Sequence, residues 1–257
     1  MTHTAHNTVG FEKSYHKSGF ATNPLLYEGA TATTYTKGTL LGIIPAGLAS
    51  AGLLTSLSGA STVGADMQIA GVAAETKTTT NNDKHVKVWP VKDEVFTVSF
   101  DGHWDIAANK ASTADNRFHP NAETDSTAGT GVEVRGALMH MYEGPCKGDT
   151  KTILTHTTGA AGTSVLIVSG EFSATPTTAS KAIILADYDS TTKELHDGSN
   201  VGSQLKLSTA SASKVSVKSA AVGTGYINVL GVDPKNLTMD VRIAPPKTLI
   251  GQGNTAT

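Results

Sequence analysis

The residues best suited to chemistry in this chain are two histidines and an aspartate near its centre. His103 and Asp105 belong to the run Asp101-Gly102-His103-Trp104-Asp105, and His119 follows further along. In an extended strand, the side chains of His103 and Asp105 would point to the same face, so together they could ligate a metal ion or share a proton. A hydrogen-bonded structural pair in a loop is the commoner role of such residues, and it is the interpretation that we favour.

Two further groups of possible metal ligands lack the spacing of known sites. Asp187, Asp189 and Asp197 suggest calcium, but the glycine and the terminal glutamate of an EF-hand loop are out of position, which favours solvated turn carboxylates. His3 and His6 could chelate copper with a free amine, although a flexible N-terminal segment gives these rings no required role. The sequence therefore predicts no metal site.

The sequence also lacks the motifs of common enzymes and cofactor sites. No P-loop, dinucleotide-binding fingerprint, HExxH or GxSxG is present. The single cysteine, Cys146, lies in a turn sequence and reads as a loop thiol; one cysteine excludes an intrachain disulfide and a cysteine-based zinc site. This cysteine usage fits a protein folded in a reducing cytosol. We expect neither an enzyme nor a bound cofactor.

The composition predicts strands rather than helices. The chain has 257 residues, of which 16% are charged and 39% hydrophobic, with 26 glycines and a formal net charge of −2. Small neutral residues take the place of the Glu, Lys, Arg and Leu on which helical proteins depend. Near-neutral charge leaves no electrostatic footprint for nucleic acid, and patterned apolar runs argue against disorder. We predict an all-β protein that does not bind nucleic acid.

One charge-free stretch, residues 38–65, has to be considered as a possible membrane-spanning helix. Leucines and isoleucines recur in it, but Pro45 interrupts its most apolar part, and Gly, Ser and Thr are interspersed throughout. A membrane-spanning helix needs about 20 predominantly apolar residues. We interpret the stretch as a buried strand over 39–44 followed by a small-residue loop. The N-terminal sequence does not resemble a signal peptide, so we expect no membrane partner.

Short apolar runs separated by turn residues predict strands along most of the chain. We place them at 39–44, 67–73, 85–89, 95–100, 132–142, 152–156, 164–172, 182–188, 204–207, 215–218, 226–232 and 237–243. The turn-rich run 101–130 marks a domain boundary or a long excursion. The expected organisation is an extended N-terminal arm (1–24), a first β domain (25–125), a second β domain (126–246) and a tail (247–257). The arm is expected to be flexible until it adds a strand to a partner.

Three passages near the start of the chain resemble a known family. The first is a Thr/Ala-rich extended segment that ends in a turn and a short strand, Gly29-Ala30-Thr31-Ala32-Thr33-Thr34-Tyr35-Thr36-Lys37-Gly38-Thr39-Leu40-Leu41-Gly42. The others are Ile69-Ala70-Gly71-Val72-Ala73-Ala74-Glu75 and Val88-Trp89-Pro90-Val91-Lys92-Asp93-Glu94-Val95-Phe96-Thr97-Val98. Over about residues 25–102, the chain resembles the head decoration, or capsid cement, proteins of tailed bacteriophages.

This resemblance implies a fold, a location and partners. The first β domain would be β-tulip or barrel-like and would sit on the capsid as a homo-oligomer, most simply a trimer. The arm would add a strand to the major capsid protein, and the chain, made in the host cytoplasm, would be located on the virion surface. The second domain, sandwich-like or barrel-like, would be either an outward protrusion or an extra clamp.

The residues expected to contact the capsid or another subunit lie in the arm and in the first strand region. They are Phe11, Tyr15, Phe20, Leu25, Leu26, Tyr27 and Tyr35. Deletion of residues 1–24 is expected to abolish capsid attachment and to leave the fold intact.

Two other classes of function stay open at this point. A tail-tube, fibre or shell subunit of a virion would have a similar composition, although a shell protein usually contains a long amphipathic helix that the sequence does not show. A carbohydrate-binding β-sandwich would use aromatic side chains, for which Trp89 and Trp104 are the only tryptophans.

Overall fold

The structure, a computed structural model, describes most of the chain in segments. The described residues are 10–16, 22–57, 68–92, 94–101, 103–121, 136–157, 163–185, 187–188, 195–196, 204–208, 211–216 and 225–243. The predicted strands 67–73, 132–142, 182–188 and 215–218 and the predicted arm 1–24 are therefore only partly described, and the predicted tail 247–257 lies outside the described residues.

Every regular element in these segments is a β-strand, which confirms the all-β prediction. None of the residues described forms a helix that could cross a membrane. In chain order the strands are β1 (Glu12–His16), β2 (Leu25–Glu28), β3 (Thr34–Tyr35), β4 (Leu40–Ile43), β5 (Leu54–Ser56), β6 (Gln68–Ala73), β7 (Lys77–Thr78), β8 (His85–Trp89), β9 (Glu94–Asp101), β10 (Trp104–Ala107), β11 (Arg117–Phe118), β12 (Leu138–Glu143), β13 (Thr150–Thr157), β14 (Val165–Val168), β15 (Lys181–Ile184), β16 (Asp187–Tyr188), β17 (Leu195–His196), β18 (Gln204–Ser208), β19 (Ser211–Ser216), β20 (Ile227–Asp233) and β21 (Thr238–Ile243).

The largest core lies in a closed barrel of five strands, called the barrel below. Its strands follow the order β9–β19–β18–β20–β21, and β21 pairs with β9 to close the ring. The β19–β9 pairing is parallel and the others are antiparallel. The alternate residues Phe96, Val98 and Phe100 of β9 are buried in its core. Side chains alternate across a strand, so this one face of β9 supplies a large share of the interior.

A six-stranded sheet curls around a second core. Its order is β10–β15–β12–β13–β14–β11. An isolated β-bridge pairs Ala108, which directly follows the edge strand β10, with Pro120, which lies just after the other edge strand, β11. The Asn121 amide donates to the Ala107 carbonyl at 2.8 Å beside this bridge. The enclosed core includes Ile106, Phe118, Met139, Met141, Ile153, Leu166 and Ile184.

A five-stranded sheet encloses a third, smaller core. Its order is β2–β8–β6–β4–β5, and a parallel bridge from Gly29 to Leu54 connects its two edges. The short β3–β7 pair brings Tyr35 into this core, where the side chain is fully buried. The Tyr35 hydroxyl donates to the Leu54 carbonyl at 2.9 Å and accepts from the Ala30 amide at 2.9 Å. Both polar bonds lie where the sheet edges meet, so Tyr35 fixes the curl of this sheet.

The barrel core extends beyond the barrel itself. Its cluster of buried residues includes Leu40 and Val72 from the five-stranded sheet, and Ile183 and Leu185 from β15 and the residue after it. All three sheets therefore pack on one continuous apolar cluster.

The sheets also combine strands from both sides of residue 125. β9 pairs with β19 and β21, β10 pairs with β15, and β11 pairs with β14. The closed barrel and the curled six-stranded sheet are consistent with the predicted pair of small β domains, and of the three large sheets the five-stranded one is built entirely from residues before 125, whereas the other two combine strands from both sides. Long-range pairing of this kind leaves no mark on local composition, so the pairing partners of β9, β10 and β11 cannot be predicted from the turn-rich run 101–130.

Gly71 in β6 provides a direct test of this packing. Its φ is 153°, and a Cβ atom there would lie 2.1 Å from the carbonyl oxygen of Trp89. We expect Gly71→Ala to lower the free energy of unfolding by about 2–4 kcal/mol, because backbone cannot yield as a flexible side chain does.

The matched control is Gly231→Ala in β20, where the nearest heavy atom to an added Cβ is 3.8 Å away. This variant should be close to neutral in the same urea-denaturation experiment. Equal destabilisation of the two variants would contradict the close contact between β6 and β8.

Candidate assembly surface

The N-terminal strand β1 pairs with the first half of β9 and extends the sheet that forms the barrel. The two strands are antiparallel, with Glu12 opposite Thr97 and Lys13 opposite Phe96. Residues 10–16 of the predicted arm therefore pair with the chain's own β9, which corrects the expectation of a segment that orders itself only on a partner. A free β-strand edge offers unpaired amides and carbonyls, and β1 satisfies those of β9.

Phe11 anchors this strand in the core. It is 2% exposed and meets Phe96 edge-on, with ring centroids 6.3 Å apart. Its amide donates to the Gly38 carbonyl at 2.9 Å, and a Cβ atom on Gly10 would lie 2.9 Å from that same oxygen. The backbones touch here, so Gly10 and Gly38 are required by close approach. Phe11 was expected to contact a partner, and this is corrected: its side chain is inside the protein.

A buried ion pair completes the attachment of β1. The carboxylate of Glu94, at the first residue of β9, is fully buried, and its Oε1 lies 3.3 Å from Lys13 Nζ. The Thr22 hydroxyl accepts from Lys13 Nζ at 2.6 Å and donates to Glu94 Oε1. Lys13 Nζ also lies 4.5 Å above the ring of Trp89, a cation–π contact. We call the set Lys13, Thr22, Trp89 and Glu94 the anchor cluster.

The anchor cluster is held mainly by one of the two Glu94 oxygens. Within the part of the chain that the structure describes, Oε2 of Glu94 is buried and has no hydrogen-bond partner. A buried carboxylate without compensation is strongly unfavourable, so the single cation of Lys13 carries most of the electrostatic compensation. Glu94 was not among the predicted site residues, although its position in the sequence is in phase with the inward-facing Phe96, Val98 and Phe100.

Among the described residues, the outer strand β2 carries two adjacent exposed leucines and is the candidate surface for a partner. Leu25 is 43% exposed and Leu26 63% exposed. β2 is the terminal strand of the five-stranded sheet and pairs with β8 on one side only, apart from the bridge that follows at Gly29. Consecutive strand residues point to opposite faces, so two exposed leucines in succession put apolar surface on both sides of this edge.

The other residues predicted to contact a partner fall into two groups. Tyr27 is partly buried against the core cluster around Tyr35, and Tyr35 itself is fully buried, which corrects its expected role as a contact residue. The side chain of Tyr15 and the whole of Phe20 lie outside the described residues. Only Leu25 and Leu26 of the predicted set are therefore seen as exposed side chains.

The residues singled out for chemistry are engaged in structural contacts. His103 meets the Phe100 ring edge-on at 6.0 Å, and Asp105 is hydrogen-bonded to the Tyr142 hydroxyl. Burial and this carboxylate raise the pKa of Tyr142 above its usual value. His119 is buried, and its pKa is lowered by desolvation and then by the charge of Lys110.

No three His, Cys, Asp or Glu side chains in the described segments are placed to hold a metal ion. The Asp187 side chain, and all of Asp189, Asp197, His3 and His6, lie outside those segments. Asp105 lies within strand β10 and not in a loop, and the expectation that His103 and Asp105 form a hydrogen-bonded structural pair stays a prediction.

Cys146 is fully buried in the core of the six-stranded sheet. Its Sγ lies 3.9 Å from the Ser180 hydroxyl, and burial raises the pKa of the thiol more than this hydrogen bond lowers it. The turn predicted around Cys146 is present, but the side chain points inward.

Comparison of the chain with models of protein families, with curated proteins and with solved structures finds no match.

The anchor cluster predicts a large effect of neutralising Lys13. Lys13→Met should lower the free energy of unfolding by about 3–5 kcal/mol, because it leaves the buried Glu94 carboxylate without its cation. Replacing both residues, Lys13→Met with Glu94→Leu, should recover much of the loss. Chemical denaturation followed by tryptophan fluorescence measures both, since Trp89 lies in the cluster.

The control is Lys77→Met, which removes an exposed pair with Asp83 whose nitrogen–oxygen distance is 2.7 Å. Exposed pairs contribute little, so this variant should unfold nearly as the wild type does. Loss of stability in Lys13→Met no greater than in the control would show that Glu94 does not depend on Lys13.

Cys146 predicts slow thiol chemistry in the folded protein. Because its folded pKa is raised, Cys146 should react with a disulfide reagent at mildly alkaline pH only as fast as the protein opens. The unfolded thiol loses its proton first as pH rises, so this group's contribution to stability is complete below about pH 8.5 and declines above it. Labelling as rapid in native buffer as in denaturant would contradict the buried position, and Cys146→Ser supplies the unreactive blank.

Proposed function

We propose that this chain is a virion structural protein that binds the outside of a phage-like capsid as an oligomer and stabilises the shell. The observation that carries the assembly role is the exposed pair Leu25 and Leu26 on the terminal strand β2. An exposed apolar sheet edge is a liability for an isolated monomer, whereas in an assembly it accepts a partner strand or an apolar surface. The viral setting is supported by the resemblance over residues 25–102, which contains this strand.

The composition supports the same proposal. Charged residues make up 16% of the chain, and the net charge is −2. Surfaces poor in charge lose little solvation energy when buried between subunits, and Thr, Ser, Ala and Gly allow close backbone approach. Many copies bound side by side also strengthen modest contacts, since each bound copy raises the effective concentration of the next.

The proposed partners are the major capsid protein and further copies of this chain, a trimer being the state that the resemblance implies. The proposed location is the virion surface, after synthesis in the host cytoplasm. β2 is the proposed capsid contact in place of the buried Phe11 and Tyr35.

A second candidate, a tail-tube or fibre subunit, also follows from β2. The same edge could pair with an identical copy and build a ring or tube without a capsid. Electron microscopy separates the two: a decoration protein stays in small oligomers when purified and labels the heads of intact particles, whereas a tube subunit polymerises alone and labels tails. The carbohydrate-binding alternative loses support because Lys13 lies over the Trp89 ring; the Trp104 side chain is outside the described residues.

Substituting the β2 leucines tests the proposal. The double variant Leu25→Asp and Leu26→Asp should bind heads that lack this protein at least about tenfold more weakly, because it removes apolar contact area and adds charge to the interface. Co-sedimentation with heads measures the binding, and thermal unfolding should be nearly unchanged since both side chains are exposed.

Leu154→Asp and Leu230→Asp are the matched controls, because these leucines are 55% and 39% exposed on other sheets. Both should bind heads as the wild type does. Wild-type binding by the β2 double variant would overturn the assigned contact, and the absence of head binding by the unaltered chain would overturn the decoration role.

A further inference from the structure

We propose that strand β1 is exchanged between copies, so that residues 10–16 of one copy occupy the β9 groove of a second copy. The groove is the space along residues 94–97 of β9, bounded by Gly38, Trp89 and Phe96 and filled by β1. This inference concerns contacts between copies of the chain and is independent of whether those copies bind a capsid.

The groove recognises specific features of its occupant. It takes an apolar ring at Phe11 against Phe96, a cation two residues later at Lys13 against Glu94, and a residue without a side chain at position 10 against Gly38. An extended Gly-Phe-x-Lys segment therefore fits in one register. The segment of this chain that satisfies all three requirements is its own β1, which makes a second copy the partner of matching chemistry.

The barrel ring closes without β1. The barrel is closed by the pairing of β9 with β21 and β19, so β1 is an added strand and no member of the ring depends on it for closure. Among the described strands, β1 pairs with β9 alone. A strand attached by one edge can leave and be replaced without opening the barrel.

The residues that form the groove come later in the sequence than the linker that follows β1. Gly38, Trp89, Glu94 and Phe96 all follow β2, whereas β1 precedes it, and five residues, 17–21, separate His16 from Thr22. At about 3.3–3.6 Å per residue, that connection spans up to roughly 20 Å when extended, so exchange takes place between grooves that lie within that distance of each other. Thr22 stays with the receiving copy and still bridges the incoming Lys13 to Glu94.

An empty groove is unfavourable, so a β1 strand that leaves is replaced by the β1 strand of another copy and the groove does not stay empty. Without β1 the fully buried Glu94 carboxylate loses its cation, and Phe96 loses the aromatic side chain packed against it. The same contacts form whether β1 comes from its own chain or from another, so at high local concentration the two arrangements compete on nearly equal terms. Copies clustered on any surface would favour the exchanged form.

A mixed-disulfide experiment tests the exchange. Glu12→Cys is placed in one copy and Thr97→Cys in a second, heavier tagged copy, both in a Cys146→Ser background; residues 12 and 97 are directly opposite in the β1–β9 pair. Directly opposed strand residues fall within the Cα separation that a disulfide bridges. The copies are unfolded together in urea, refolded at high concentration and oxidised. We expect a disulfide-linked species containing one tagged and one untagged chain.

Two controls make the outcome decisive. A single chain carrying both Glu12→Cys and Thr97→Cys should close an internal disulfide, which shows that the geometry is correct. Glu12→Cys mixed with Thr155→Cys, an exposed position on β13, measures random collision. A mixed yield no greater than that of the Thr155 control, with the internal disulfide forming normally, overturns exchange.

A charge-exchange pair gives an independent readout without cysteines. Lys13→Glu and Glu94→Lys each place like charges together within one chain, but mixing the two variants allows opposite charges to meet between chains. Exchange predicts that each variant alone is destabilised and that the mixture forms a heterodimer by sedimentation with a recovered unfolding midpoint. A mixture that behaves as the sum of its two components contradicts it.

Discussion

The buried carboxylate of Glu94 requires a cation, and that requirement organises the N-terminal half of the protein. Glu94 is the first residue of β9, which is also the strand that pairs with β1, β19 and β21. Lys13 is delivered to it only when β1 lies in register along β9 and Phe11 enters the core. One electrostatic constraint therefore couples the chain terminus, the barrel and the packing of Phe96. Removing either partner alone leaves a buried charge, whereas removing both leaves an apolar site, so the ion pair specifies register more than it adds stability.

The position of β9 explains why the three sheets form one body around a common cluster. β9 contributes a face of aromatic and aliphatic side chains to the barrel core, and the five-stranded sheet and β15 add their own apolar residues to the same cluster. The two further cores are smaller and lie inside curled sheets whose edges are linked by the bridges at Ala108 and Gly29. Curled sheets leave few free edges, and in this setting the exposed leucines of β2 stand out as a surface for a partner.

Local sequence patterns predicted the local structure well. The low charge and the high Thr, Ser and Gly content indicated an all-β protein, and 85–89 matches β8 residue for residue, because alternation of valines with polar residues is a local signal. Leu25 and Leu26 were predicted to contact a partner, and both side chains are exposed. Phe11 and Tyr35 were predicted to contact the capsid, but both side chains are buried. The local sequence around an aromatic residue in a polar segment is the same whether the side chain faces solvent or fills a core that distant residues supply. The pairing of β9 with β21 joins residues about 140 positions apart, a contact that no local pattern encodes.

Residues 10–16 form an integral strand held by the anchor cluster, and amide hydrogen exchange tests this arrangement most directly. Mass spectrometry of the peptide covering residues 10–16 should show protection within the range of the peptide covering β9, and Lys13→Met should remove protection from the first peptide well before the second. Exchange of residues 10–16 in the unaltered protein at the rate of an unstructured chain would contradict the account, because β1 would then not be paired with β9.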